Sequence, residues 1–325
     1  MTTYAWVIGA RGLLGGATSA AISRRPDWVL LPAEPLPWSD DASLAEAASA
    51  SADRLMTAAA MDATGTADWA VLWVAGNAVT STPPAAIEHE LRQLRLVLDA
   101  VGTAATRHGS AEAGAVFYAS SAGGVYGGSA HPPFDEQSTP VPISGYGRFK
   151  LDAEASLTAF SESSGVSVLA GRIANLYGPG QKLGKMQGLI SHLAKAQFSP
   201  KPASIFVPLE TMRDYIFVRD CAELVLDCVT RLREVTVSHG RTQAVKNLAT
   251  GQAVTISNLL GHIRSLAKAN PNVMLGYSAE ASMQGLDLRI TSTVWPDLDR
   301  RQLTSLPAGI KATMDDVLAH IQSGG

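Results

Sequence analysis

Cysteine is almost absent. The 325 residues include two, Cys221 and Cys228, with no histidine or further cysteine grouped around them. That excludes a disulfide framework and a zinc cluster, so the pair reads as two small apolar side chains on one helix. Charge is sparse as well. Charged residues make up 17% and the formal net charge is -3, which leaves no basic field for a phosphate backbone. Nucleic acid is therefore excluded as a partner, and any bound anion must be gripped locally. Long apolar runs are also missing: none reaches the roughly 20 residues that a bilayer span requires. No basic stretch precedes the first apolar run, which Gly9, Gly12, Gly15 and Gly16 interrupt at once. No signal peptide, no membrane partner and a cytoplasmic location are expected.

The chain does have a core. Hydrophobic residues make up 46%, enough to rule out disorder. Up to about residue 176, short apolar runs alternate with amphipathic stretches. Residues 4–8, 28–31, 69–74, 115–120 and 166–170 read as strands, and 15–25, 44–60, 85–101 and 146–163 as helices. Such alternation predicts an α/β fold with a doubly wound parallel sheet, whose ligands lie beyond the carboxyl ends of the strands. After about residue 176, Gly178-Pro179-Gly180, Pro200, Pro202 and Pro208 break the rhythm. A smaller lobe is expected over 177–325, with some elements returning to the first domain, 1–176.

The first strand runs into Gly9-Ala10-Arg11-Gly12-Leu13-Leu14-Gly15. A glycine triplet between strand and helix allows a tight turn and a close backbone approach to a pyrophosphate, which meets the free amides of the helix start. About 20 positions on, a nicotinamide site needs a carboxylate for the ribose hydroxyls or an arginine for a 2′-phosphate. Glu34 has that spacing, whereas Arg11 could serve a phosphate. The balance favours NAD, with NADP open. Asp40 is either an adenine contact or the N-cap of the next helix. Ala75 and Gly76, just past the strand 69–74, complete the expected dinucleotide contacts.

Tyr146 and Lys150 are four apart, hence on one helix face. A phenol with a reference pKa near 10 needs about 4 kcal/mol of preference for its anion to act as a base near pH 7. One cation at about 5 Å, in an effective dielectric near 20, contributes roughly 3 kcal/mol. Ser120 and Ser121 close the strand 115–120, where a hydroxyl can donate to a substrate oxygen or simply form a turn before Gly123-Gly124.

Together these motifs resemble the NAD-dependent epimerase/dehydratase family of extended short-chain dehydrogenases/reductases, notably UDP-glucose 4-epimerase-like members. The resemblance is carried by Gly9 to Gly15, Ser120-Ser121-Ala-Gly-Gly-Val-Tyr-Gly127, Tyr146-x-x-x-Lys150, Arg172-Ile-Ala-Asn175-Leu-Tyr-Gly-Pro-Gly-Gln181 and Arg213-Asp-Tyr-Ile-Phe-Val218, in that order. It implies a Rossmann domain and a smaller lobe that binds a nucleotide-diphosphate sugar. Tyr146 would be the base, Lys150 its orienting cation and a holder of the nicotinamide ribose, and Ser121 a partner of the sugar's reacting oxygen, with Ser120 as fallback. Asn175 and Arg213 would contact the diphosphate, and Gln187 and Gly188 the nucleotide; a bridge from Arg213 to Asp220 is the structural alternative. Relatives often dimerise through a four-helix interface, so a homodimer is expected.

The chain departs from the family in places. Val207-Pro208-Leu209-Glu210 replaces a Gly-Asp-Gly turn, Gln284 stands where an arginine is often found, and Glu90 replaces an asparagine. Family dehydratases carry Asp-Glu after the active-site hydroxyl, decarboxylating members a glutamate, and 3,5-epimerase/reductases a cysteine. Ala122, Gly123 and Gly124 supply none of these. The resemblance therefore implies 4-epimerisation through a transient 4-keto sugar, then keto-sugar reduction, and last a dinucleotide-binding protein without catalysis.

Overall fold

The computed structural model describes residues 2–32, 34–63, 65, 67–181, 188–276 and 285–323. Among them the first elements are β1 (Thr3–Ile8), α1 (Leu13–Ile22), β2 (Trp28–Leu30), α2 (Asp41–Ala60), β3 (Asp68–Trp73), α3 (Pro84–His108), β4 (Gly114–Ser121), α4 (Ala122–Val125), α5 (Gly145–Ser164) and β5 (Ser167–Ile173). Then come β6 (Asn175–Tyr177), α6 (Leu189–Gln197), β7 (Ala203–Ile205), β8 (Met212–Phe217), α7 (Val218–His239), β9 (Gln243–Leu248), β10 (Ala253–Thr255), α8 (Ile256–Ala267), β11 (Val273–Leu275), β12 (Asp287–Leu288) and α9 (Leu306–Gln322).

The expected doubly wound α/β sheet is present. Six strands run in the order β2-β1-β3-β4-β5-β9, and β1 pairs in parallel with both β2 and β3. The order reverses between β1 and β3, which makes their carboxyl ends the natural ligand crevice. Both faces of β3 and β5 are buried, as a parallel sheet covered by helices requires. The expected strands are all found, with ends shifted by a few residues. The largest shift among the helices is in α3, expected to stop at 101. Gly102 is no terminator: a side chain there would meet the Phe160 ring at 3.2 Å, so the glycine lets α3 pack on α5. The helix ends instead at Gly109, in the left-handed conformation with φ 59.

Contacts divide the chain into two compact, interleaved units. The first holds 1–120, 148–172 and 222–246; the second holds 121–147, 173–221 and 247–325. The sequence reading drew one boundary at 176 and allowed for returning elements. The core of the first unit gathers Trp6, Trp69, Trp73, Leu94 and Tyr118 among others. Residues 222–246 bring Arg233 back to it, where the guanidinium pairs with buried Asp68 at 2.8 Å and donates to the Gly114 carbonyl. The second unit is built around β8, flanked by β10 and β12 and paired with β6. Its core holds Ile190, Leu193, Phe217, Leu259 and Ile310. Among the described residues no helix is long and apolar enough to cross a membrane.

The turn after β1 leaves no room for a side chain at Gly15. A Cβ on Gly15 would sit 2.0 Å from the Gly9 carbonyl oxygen, whereas one on Gly16 would clear Ala10 by 3.6 Å. Gly15→Ala is expected to destabilise the protein by about 2 kcal/mol or more and Gly16→Ala by less than about 0.5 kcal/mol, read from denaturant midpoints.

Candidate active site

The glycine turn is shaped by backbone contacts. Gly9 has φ 96, and a Cβ there would lie 2.6 Å from the Ala75 nitrogen, so β1 and the segment after β3 touch main chain to main chain. The Gly12 amide donates to the Gly9 carbonyl at 2.8 Å and begins α1 without a side-chain cap. The first-turn amides of Leu13, Leu14 and Gly15 therefore lack intrahelical acceptors and face outward at the positive end of the helix dipole. This cradle fits a pyrophosphate. Arg11 and Glu34 are both exposed. Asp40 resolves its two readings in favour of the cap: it accepts from the Ser43 amide at 2.7 Å, which holds its carboxyl below the usual range. Gly76 borders the Glu90 carboxylate, which accepts from the Asn77 and Ala78 amides at 3.1 and 3.0 Å.

Lys150 is 5% exposed in the first unit. Its ammonium donates to the Tyr118 hydroxyl at 3.1 Å and the Ala119 carbonyl at 3.0 Å, and lies 4.8 Å from the Tyr118 ring centre. Burial pushes its pKa down to about 8, opposed by the charges of Glu90 and Glu154. Glu154 is one turn further along α5. It is gripped by Arg172, with Nη2 to Oε2 at 2.7 Å and Nε to Oε1 at 3.1 Å, in a pair almost wholly withdrawn from water. Ser120 donates its hydroxyl to the same carboxylate. The hydroxyl of Ser120, the fallback contact for a reacting oxygen, is thus engaged in a buried network.

In the second unit Ser121 caps α4, accepting from the Gly124 amide at 3.2 Å. A Cβ on Gly124 would begin 3.0 Å from the Tyr146 ring and 3.3 Å from the Ser121 hydroxyl, so phenol and hydroxyl flank one bare stretch of backbone. Gly147 is equally constrained, since a side chain there would meet the Gly124 carbonyl at 2.1 Å. The start of α5 is thus pressed against α4, with Ser144 accepting from the Gly147 amide at 3.1 Å.

Arg213 is also in the second unit and 6% exposed. Its Nη1 donates to the carbonyls of Met212 at 2.9 Å and Leu286 at 3.5 Å, and it has no ion pair among the described residues. Burial holds its pKa below the usual range despite the charges of Tyr215 and Asp287. The alternative bridge to Asp220 is not formed, because that carboxylate accepts from the Thr304 amide and hydroxyl at 2.7 and 3.1 Å. The Asn175 amide donates to the Asp214 carbonyl at 2.8 Å. Gly188 has φ 84 and precedes α6, with the Gln181 side chain where its Cβ would be. Gln187 and Gln284 lie outside the described residues.

Sequence reasoning missed Tyr118, Glu154 and Arg172 as supports of this site. Two signals were available: Tyr118 shares its strand face with Ser120, and Glu154 shares its helix face with Lys150.

A model of the NAD dependent epimerase/dehydratase family matches residues 5–240. The dTDP-4-dehydro-6-deoxyglucose reductase of Escherichia coli is 26% identical over 162 residues, covering 50% of this chain and 48% of the relative. A dTDP-L-rhamnose 4-epimerase of Burkholderia thailandensis is 25% identical over 129 residues, 39% of this chain and 34% of that one. These matches span half or less of the curated relatives' length. The structure of a Thermotoga maritima UDP-glucose 4-epimerase with UDP-glucose superposes with a TM-score of 0.74 at 17% identity, covering 98% of this chain and 100% of that one. At that identity the likeness speaks for the fold.

Glu154→Ala would remove the buried carboxylate that pairs with the Arg172 guanidinium. A loss of about 3 kcal/mol or more is expected in urea unfolding, against about 1 kcal/mol for Ser120→Ala.

Proposed function

The chain belongs to the NAD dependent epimerase/dehydratase family, and from that premise we propose that it is a nucleotide-sugar 4-epimerase working with a nicotinamide dinucleotide. The observation that carries this reading is on α5. Tyr146, with its ring beside the Ser121 hydroxyl at Gly124, precedes by one helical turn a lysine whose cation is buried.

The residues fit such a dinucleotide. The uncapped amides of Leu13, Leu14 and Gly15 would hold its pyrophosphate, Glu34 its adenosine ribose, and Lys150 its nicotinamide ribose. When bound, the nicotinamide supplies a reversible acceptor for hydride. Tyr146 then takes the proton of the C4 hydroxyl as hydride leaves that carbon, and Ser121 hydrogen-bonds the same oxygen. Lys150 stabilises the phenolate that removes the proton. Tyr146 would give its proton back to the same oxygen when hydride is returned, so that delivery to the opposite face would invert C4 without net oxidation. Arg213, buried and without a carboxylate partner among the described residues, is ready for the sugar nucleotide's diphosphate, with Asn175 beside the same strand. Reduction of a keto-sugar nucleotide is the second reading, favoured by the resemblance to the bacterial reductase. It would use the same three groups in one direction.

The test is to give purified protein and NAD a panel of nucleotide hexoses and follow the anomeric proton signals. An epimerase interconverts C4 epimers with no net change in reduced dinucleotide; a reductase consumes reduced dinucleotide in proportion to keto sugar. If neither activity nor dinucleotide binding is found, the reading fails.

Tyr146→Phe is expected to lower turnover by roughly 10²–10⁴-fold while leaving the dinucleotide Kd unchanged. Lys150→Ala is expected to weaken dinucleotide binding and move the activity profile toward alkaline pH.

Arg213→Met should raise the sugar-nucleotide Kd by about tenfold or more and leave dinucleotide binding intact, as read by calorimetry. Without ligand it should cost less than about 1 kcal/mol of stability, because no paired carboxylate is stranded.

A further inference from the structure

Lys150 has two tasks in the proposed function, and both require its nitrogen to stay in place. A lysine ammonium is a compact, strongly hydrated charge on a flexible stem, and burial removes the water that would otherwise surround it. Here β4 supplies the replacement. Tyr118 is 1% exposed, its hydroxyl accepts from Nζ at 3.1 Å, and its ring centre lies 4.8 Å from the same atom. One side chain thus offers the cation both a lone pair and a π-face, and the next residue, Ala119, adds a carbonyl at 3.0 Å.

We propose that Tyr118 is a positioning residue that fixes the location and charge state of the Lys150 ammonium, an inference that rests on the role given to that lysine above. A hydroxyl suits the task because it brings no net charge. It accepts from the ammonium, and should the lysine lose its proton the same oxygen can donate to the free amine, so the nitrogen keeps a partner in either state. The charges that face Lys150 come from Glu90 on α3 and, one turn further along its own helix, from Glu154, itself tied to Arg172 on β5. Tyr146 precedes it by one turn of the same helix. These carboxylates favour the charged form, and the hydrogen bonds to Tyr118 and Ala119 set its position.

The test is Tyr118→Phe, which retains the ring and removes the hydroxyl. Lysine Nζ signals are followed against pH by 15N NMR, with Lys150 assigned by its loss in Lys150→Met. Wild-type protein should titrate near pH 8. The variant should titrate about one pH unit lower, from the loss of one hydrogen bond to a charged group, and bind NAD about tenfold more weakly. Sugar-nucleotide affinity should be unchanged. An unchanged Lys150 midpoint in a folded variant overturns the proposal. Should the variant not fold, the wild type decides: a nuclear Overhauser contact from the Lys150 ammonium to the Tyr118 ring protons supports the proposal, and its absence overturns it. A midpoint that moves in a protein that binds no dinucleotide supports the Tyr118–Lys150 coupling and refutes the function proposed above.

Discussion

Taking a lysine ammonium out of water costs several kcal/mol unless the protein rebuilds its solvation. Around Lys150 that rebuilding recruits much of the first unit. β4 provides a hydroxyl, a carbonyl and a ring face, α3 and α5 provide carboxylates, and β5 provides the arginine that keeps one of those carboxylates in place. The cost is incompletely offset, which is why the pKa settles near 8 rather than at its ordinary value. A cation poised this way is strong enough to favour a phenolate and weak enough to lose its proton only slightly above neutral pH.

Two of the buried cations, Lys150 and Arg213, are handled in opposite ways. Lys150 sits among negative charge, whereas Arg213 in the second unit has only carbonyl oxygens within hydrogen-bonding distance among the described residues. Its fixed fork of donors cannot be quieted by deprotonation, so its burial makes sense when an anion arrives from outside. In the function proposed above, Lys150 serves as a tuned group and Arg213 as a waiting one. Burial alone would not distinguish them; their neighbours do.

Much of this was legible in residue order. Alternating apolar runs located the strands, and the spacing of Gly9, Gly12 and Gly15 located the turn, because strand period and backbone crowding act over a few residues. Three matters depended on contacts between distant segments. Ser120 and Ser121 differ by one residue in a strand, where neighbours point to opposite faces, and only the fold shows that a carboxylate 34 positions on accepts from the hydroxyl of Ser120. Asp40 could cap or bind until Ser43 was found to claim it. Asp220 stood close enough in sequence to Arg213 to suggest a bridge, but Thr304 holds it instead. Gly102, just past the expected end of α3, makes a related point, since a glycine kept for close helix packing is indistinguishable in sequence from one that ends a helix.

The return of residues 222–246 to the first unit bears on how such a chain can be rearranged. Arg233 arrives with that segment and neutralises Asp68, which lies 3% exposed at the start of β3, and the same segment carries most of β9, an edge strand of the large sheet. A fragment ending at 176 would keep the carboxylate and forfeit both its counter-ion and the strand, so the two units cannot be parted by one cut. Exchanging the second unit with that of a relative would require replacing three separated stretches while preserving the segments between them. Recombination at a single crossover would rarely leave a folded product, and diversification of this architecture is better served by point substitutions and loop changes within each unit.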